Sequence, residues 1–106
     1  MVNRFDVYLV VLDPVVGSEI SKTRPCLVVS PDEINHFLRT VIVAPMTTKG
    51  LRRPSRVPCS FQRKNGHVVL DQIRNVDKDR FVRKLGRLNA ATSMKVLEGL
   101  RDMFSP

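Results

Sequence analysis

Tryptophan is absent from this chain, and one Tyr and five Phe are its only aromatic residues. Rows of rings on which successive bases could stack are therefore poorly supported. Cysteine is nearly as scarce. Cys26 and Cys59 sit in separate apolar, strand-like runs with no C-x-x-C spacing, which reads as two buried, reduced thiols and not as a disulfide or a metal pair. No apolar stretch approaches the roughly 20 residues that a bilayer-crossing helix requires. Met1 to Asp6 runs directly into a strand-like segment without the layout of a signal peptide, so the expected location is the cytoplasm. Acidic residues are also short: 10 Asp plus Glu face 18 Lys plus Arg, a formal net charge of +8. The expected partner is an anion, with nucleic acid the usual choice and an anionic membrane or an acidic protein the alternatives. The chain has 106 residues and shows no internal repeat, low-complexity segment or composition break. A single domain over residues 1–106 is expected, long enough to build a core without staples.

What is present is organised around Lys22 to Pro31. Arg24-Pro25 reads as a strand entrance, because the residue before a proline is pushed toward extended geometry and proline is tolerated at the start of a strand. Cys26 to Val29 is an unbroken apolar run of the kind found in strands covered on both faces. Ser30-Pro31-Asp32-Glu33 then looks like a helix start, with Ser30 as cap, Pro31 in the first turn and Glu33 completing a capping box. A short helix over Pro31 to His36 follows.

Asp6 to Leu12 reads as the first strand, and Asp13 to Thr23 as a mobile polar connection back to Arg24. Phe37 to Met46 is strand-like, with Pro45 at its fraying end. Thr47 to Pro54 gathers hydroxyls with Lys49, Arg52 and Arg53 into an exposed basic loop. Val57, Cys59 and Phe61 alternate with Arg56, Pro58 and Ser60, a half-buried strand that Pro58 places at an edge or bulge. Asn65-Gly66 predicts the tight turn into His67 to Asp71. Gln72 to Arg83 predicts short strands around a turn. Near the end Asn89 is a helix cap, and Met94, Leu97, Leu100 and Phe104 define one apolar helix face expected to pack on the sheet. The fold class is mainly β: a bent antiparallel sheet, barrel-like, with a short helix after the second strand and a C-terminal helix.

Four segments in order, Asp13-Pro14…Gly17-Ser18-Glu19…Lys22-Thr23-Arg24-Pro25…Val28-Val29-Ser30, Val43-Ala44-Pro45-Met46-Thr47-Thr48, Asp71-Gln72-Ile73-Arg74 and Leu85-Gly86-Arg87-Leu88, resemble the MazF/PemK toxin family over nearly the whole chain. The resemblance implies a small SH3-like barrel, usually a homodimer. It implies an endoribonuclease that cuts single-stranded RNA at short sequences without metal or cofactor, and a labile antitoxin that neutralises it. That antitoxin is expected to be an acidic, partly disordered, MazE-like peptide lying over the basic groove. CcdB-type proteins share the fold and poison DNA gyrase instead, and a non-catalytic RNA-binding module is a further alternative, so fold alone does not fix function. The Arg and Thr motifs favour the ribonuclease.

Cleavage of RNA by its own 2′-hydroxyl needs a group that takes the 2′ proton, one that protonates the 5′ leaving oxygen, and donors that hold the charged phosphorane. Arg24 suits the last two tasks, since a guanidinium stays charged and offers a rigid fork of donors matched to phosphate. By resemblance Thr47 corresponds to the family's catalytic threonine, a donor to a phosphate oxygen, and Thr48 is its neighbour. Glu19 matches a recurrent family acid and is the candidate base. Lys22, Thr48, Lys49, Arg52 and Arg53 are candidates for holding the RNA backbone. In the Kid/PemK branch a first-loop histidine and an arginine two residues before the Asp are implicated, but Ser18 and Val69 stand at those places here, so Asp71 reads as structural. His36 and His67 match no catalytic position of the family and read as surface or packing residues.

Overall fold

In the computed structural model, which describes residues 1–50 and 52–106, the apolar run after Arg24 becomes a central strand of a seven-stranded antiparallel sheet. Leu51, within the basic loop read from the sequence, lies outside the described residues. The strands are β1 (Asp6–Val11), β2 (Thr23–Val28), β3 (Thr40–Thr47), β4 (Arg56–Phe61), β5 (Lys64–Val69), β6 (Arg74–Asp77) and β7 (Phe81–Arg87); the helices are α1 (Asp32–Phe37) and α2 (Ala90–Met103). Single 3-10 turns at Leu70–Gln72 and Lys78–Arg80 flank β6. The order is β4-β5-β3-β2-β1-β7, with β6 also paired to β3.

β3 explains the bend. One edge carries β2, while the other pairs β6 over Thr40–Val43 and then β5 at Met46 and Thr47. A strand that changes neighbour halfway cannot lie in a flat sheet, and the result is the open, barrel-like architecture expected. β2 is covered on both faces, as its unbroken apolar run requires. Leu27 and Val29 enter one core cluster with Val7, Met46, Val68 and Val96, whereas Cys26 and Val28 enter a second with Val10, Val41 and Val76. Each fully buried Val or Leu contributes about 1.5–3 kcal/mol relative to its exposed state.

Several expectations need correction. Ser30 does not cap α1: the helix starts after Pro31 with no side-chain cap bond. The Ser30 hydroxyl is buried instead, accepting the Ile42 N–H at 3.0 Å and meeting the side chain of buried Asn35, whose Nδ2 donates to the Ser30 carbonyl at 2.8 Å. It locks α1 to β3 rather than ending the helix. Phe37 closes α1 with 86% of its surface exposed, and β3 begins only at Thr40. Pro45 is not a fraying end. It is buried opposite Cys26, in the gap between the β6 and β5 pairings, where neither strand calls on its missing N–H.

The hairpin turn lies at Gln62-Arg63, both with positive φ (51° and 64°), and Asn65-Gly66 belongs to β5. This register sets Val57 opposite Val68 and Cys59 opposite Gly66. A turn at Asn65-Gly66 would bring Arg63 opposite Val68 instead, so burial of the valine pair outweighs the local turn preference. Pro58 is at a sheet edge, as read. α2 is capped by Asn89, whose Oδ1 accepts the Thr92 N–H at 2.8 Å, but its inward face is Ser93, Val96, Leu97 and Leu100. Met94 and Phe104 are 58% and 72% exposed, because the helix meets mainly β4 and the turn at Leu70 along a narrow stripe. Gly99 belongs to that contact, since a side chain there would strike Leu70.

The first loop is tied to its surroundings near both ends. Leu12 N–H donates to the Lys22 carbonyl (2.9 Å), Lys22 N–H to Asp13 Oδ1 (2.9 Å), and Ile20 N–H to Gln72 Oε1 (2.6 Å). These bonds deliver the chain into β2 at Arg24 in a fixed position.

Candidate active site

A cleft of about 220 Å³ opens where the start of β2, the end of β3 and the β4–β5 hairpin converge. Arg24, Thr47 and Thr48 line one side, and Gln62, Lys64 and His67 come from the hairpin. Met46, Cys59 and Phe61 supply its apolar surface.

Arg24, Thr47 and His67 are set by backbone pairing. Arg24 stands opposite Val10 on β1, and the following Pro25, opposite Leu9, keeps the strand extended through the cleft mouth. The Arg24 Nε donates to the Ser21 carbonyl at 3.2 Å, which anchors the guanidinium at its root. Among the described residues no carboxylate forms an ion pair with it. Its outer N–H groups are left for an anion.

Thr47 ends β3 directly opposite His67 of β5. Its hydroxyl oxygen accepts the Lys49 N–H at 3.1 Å. Accepting that bond leaves the hydroxyl proton available to donate. The close approach of β5 to β3 rests on Gly66, where a Cβ would press on the backbone of Thr47 and Thr48.

His67 is half-buried, flanked by Thr47 on one strand and Pro58 on the other. Its Nδ1 is buried without a hydrogen-bond partner among the described residues. The Cys59 thiol, facing Gly66 across the hairpin, has its pKa raised by burial, which leaves it protonated and a poor nucleophile near neutrality. No carboxylate lines the cleft among the described residues. A second hollow of about 470 Å³ adjoins it past Thr48 and His67 and reaches Asn89 and Thr92 at the start of α2.

The sequence-derived candidates divide into two groups. Arg24, Thr47 and Thr48 are brought together in the cleft. Glu19, Lys22, Lys49, Arg52 and Arg53 are exposed and lie outside its wall. Glu19 closes its own loop turn, one carboxylate oxygen accepting the Val16 N–H at 2.8 Å. The basic loop is held over β4 by Arg56, whose Nη1 donates to the Lys49 carbonyl at 3.1 Å. Asp71 is exposed on the turn after β5, next to Gln72, which docks the first loop. Lys64 and Gln62 were not singled out by sequence, and His67 was read there as a surface or packing residue. The available signal was the position of the hairpin turn, which decides whether His67 sits at a tip or in the strand beside Thr47.

The family described as PemK-like, MazF-like toxin of type II toxin-antitoxin system matches residues 3–104. The chain is 37% identical over 107 residues to endoribonuclease EndoA of Bacillus subtilis (strain 168), covering 95% of this chain and 92% of that one. It is 36% identical over 103 residues to endoribonuclease MazF of Staphylococcus epidermidis, covering 91% and 85%. Among solved structures, MazF from Deinococcus radiodurans superposes with a TM-score of 0.85 at 23% identity over 96% of this chain and 94% of that one, a likeness of fold. A mycobacterial endoribonuclease in complex with its cognate antitoxin superposes with a TM-score of 0.82 at 25% identity, covering 96% and 93%.

Proposed function

This chain belongs to the PemK-like, MazF-like toxins of type II toxin–antitoxin systems, and from that premise we propose that it cuts single-stranded RNA in the Arg24–Thr47 cleft. The observation that carries the assignment is that Arg24 and Thr47, from separate strands, face one cleft with their outward donors free among the described residues. The reaction is attack of a ribose 2′-oxygen on the adjacent phosphorus. The bond from phosphorus to O5′ breaks, leaving a 2′,3′-cyclic phosphate on one fragment and a 5′-hydroxyl on the other.

Charge builds on the phosphoryl oxygens as the 2′-oxygen bonds, and preorganised donors aimed at that charge are the largest source of acceleration available. Arg24 offers a fork of charged N–H groups to two of those oxygens, and gives a proton to the departing O5′. Thr47 donates its hydroxyl to a non-bridging oxygen. Lys22, Thr48, Lys49, Arg52 and Arg53 hold the strand on either side, adding affinity with little sequence preference. Glu19 would have to leave the Val16 amide to reach the cleft, and we assign it to holding the first loop. The reaction proceeds without a metal, in a homodimer. With a net charge of +8, the toxin suits an acidic antitoxin segment that competes with RNA, and the mycobacterial relative is itself solved in complex with its cognate antitoxin.

The test is cleavage of a long unstructured RNA in EDTA by wild type, Arg24→Ala and Thr47→Ala. Cuts at a recurrent short sequence, lost with Arg24→Ala and slowed about 10²- to 10³-fold with Thr47→Ala, are expected. Intact RNA with folded wild-type protein would overturn the reading and leave gyrase inhibition to be tested.

A further inference from the structure

We infer that His67 takes the proton from the attacking 2′-hydroxyl, a role that rests on the ribonuclease reading above. Transesterification needs a lone pair that can accept a proton near neutral pH, and no carboxylate lines the cleft among the described residues. A lysine ammonium and an arginine guanidinium, as at Lys64 and Arg24, offer donors and no acceptor. The Cys59 thiol is half-buried and keeps its own. The remaining ionisable side chain on the wall is His67, and imidazole is the side chain whose ordinary titration spans pH 5 to 8.

Its placement fits the task. His67 lies directly across the β3–β5 ladder from Thr47, so the ring and the hydroxyl share one end of the cleft. Nδ1 is buried and unpartnered among the described residues, which leaves Nε2 as the nitrogen that can exchange a proton with a bound ribose. His67 also borders the second hollow toward Asn89 and Thr92, so a strand passing from one hollow to the other runs by the imidazole. The charged and titratable groups around it are Arg24 from β2, Lys64 from its own strand and Cys59 from β4; β3 contributes Thr47 and Thr48, and α2 contributes the uncharged Asn89 and Thr92.

The 2′-oxygen forms a bond to phosphorus while its proton passes to the Nε2 lone pair. The bond from phosphorus to O5′ breaks, its electron pair leaves on O5′, and the Arg24 guanidinium protonates that oxygen. Water then carries the proton from the His67 imidazolium back to Arg24, so none is gained or lost.

The experiment is single-turnover cleavage of one oligoribonucleotide from pH 5 to 8 by wild type, His67→Gln, His67→Ala and His36→Gln. Each is run also on a substrate whose leaving O5′ is replaced by sulfur, a leaving group that needs no acid. The wild-type rate is expected to rise with pH through the imidazole range and level off. His36→Gln should keep that profile, since His36 lies on α1 and meets Asn3. Both His67 variants should lose roughly 10²- to 10⁴-fold and the acid limb, without rescue by the sulfur substrate, whereas Arg24→Ala, run alongside, should be rescued in part, since the sulfur replaces its acid role but not its hold on the phosphoryl oxygens. Binding of an uncleavable strand, deoxy at the scissile ribose, shows that the variants are folded. Wild-type cleavage with His67→Gln within threefold, an acid limb kept in that variant, or rescue of it by the sulfur substrate would overturn the base assignment. No cleavage by wild type would instead overturn the ribonuclease reading.

Discussion

Replacing Gly66 with alanine probes the junction on which the cleft depends. Gly66 is not among the residues with positive φ, so alanine suits its backbone, and a strand glycine replaced in open space would stabilise by about 0.4–1 kcal/mol. Here the new Cβ would press on the Thr47 carbonyl oxygen and lie 3.1 Å from the Thr47 carbonyl carbon and 3.3 Å from the Thr48 Cα. These are backbone atoms and cannot rotate aside. The ends of β3 and β5 must part by several tenths of an ångström, at about 1–3 kcal/mol for overpacking of this kind. The same shift moves Thr47 and His67 away from Arg24, and small misplacements of catalytic groups are costly in rate. Urea unfolding should show a net loss of about 1–3 kcal/mol, and single-turnover cleavage a loss of roughly 10-fold or more. Unchanged or increased stability with wild-type rate would refute the view that this contact sets the cleft.

Three further outcomes are expected. Asn89→Ala removes the acceptor for the Thr92 N–H and should cost about 1 kcal/mol, seen as a lower midpoint in thermal unfolding with cleft chemistry intact. Replacing Lys49, Arg52 and Arg53 together with alanine should weaken binding of an uncleavable strand and flatten the plot of log affinity against log salt by about 2; an unchanged slope would remove the loop from the RNA path. Burial pushes the Cys26 thiol up to about 12 from 9.0, with Arg74 opposing. A thiol that ionises later in the folded chain stabilises fully below pH 9 and loses that contribution as pH rises toward 12. Denaturant unfolding over that range should therefore fall more steeply for wild type than for Cys26→Ala, by at most about 1.4 kcal/mol per pH unit.

Sequence revealed most where burial and local geometry agree. Cys26 to Val29 announced a strand covered on both faces because both faces demand apolar residues, and Arg24-Pro25 announced its entrance because proline restricts its neighbour. Asn89 was legible because a cap acts within one helical turn. The failures share a cause in contacts distant in sequence. Asn65-Gly66 has the composition of a turn, yet the pairing of Val57 with Val68 moves the turn to two residues with no glycine. That displacement also hid His67, which was read as the first strand residue after the turn and a surface or packing side chain, and lies deeper in the strand beside Thr47. Ser30 had the spacing of a capping box, but Asn35 and Ile42 claim its hydroxyl. The stripe from Met94 to Phe104 had helical period, yet the narrow contact with β4 and Leu70 selects Val96 and leaves the ends exposed.

The most direct test of the central claim is the chemistry of the cut end. An RNA cleaved by the wild-type protein in EDTA, with its fragments weighed by mass spectrometry, should carry a 2′,3′-cyclic phosphate and a 5′-hydroxyl, and a single 2′-deoxy substitution at the scissile ribose should abolish that cut. A 5′-phosphate on the downstream fragment, or cleavage that persists through the deoxy position, would contradict 2′-hydroxyl attack in the Arg24–Thr47 cleft.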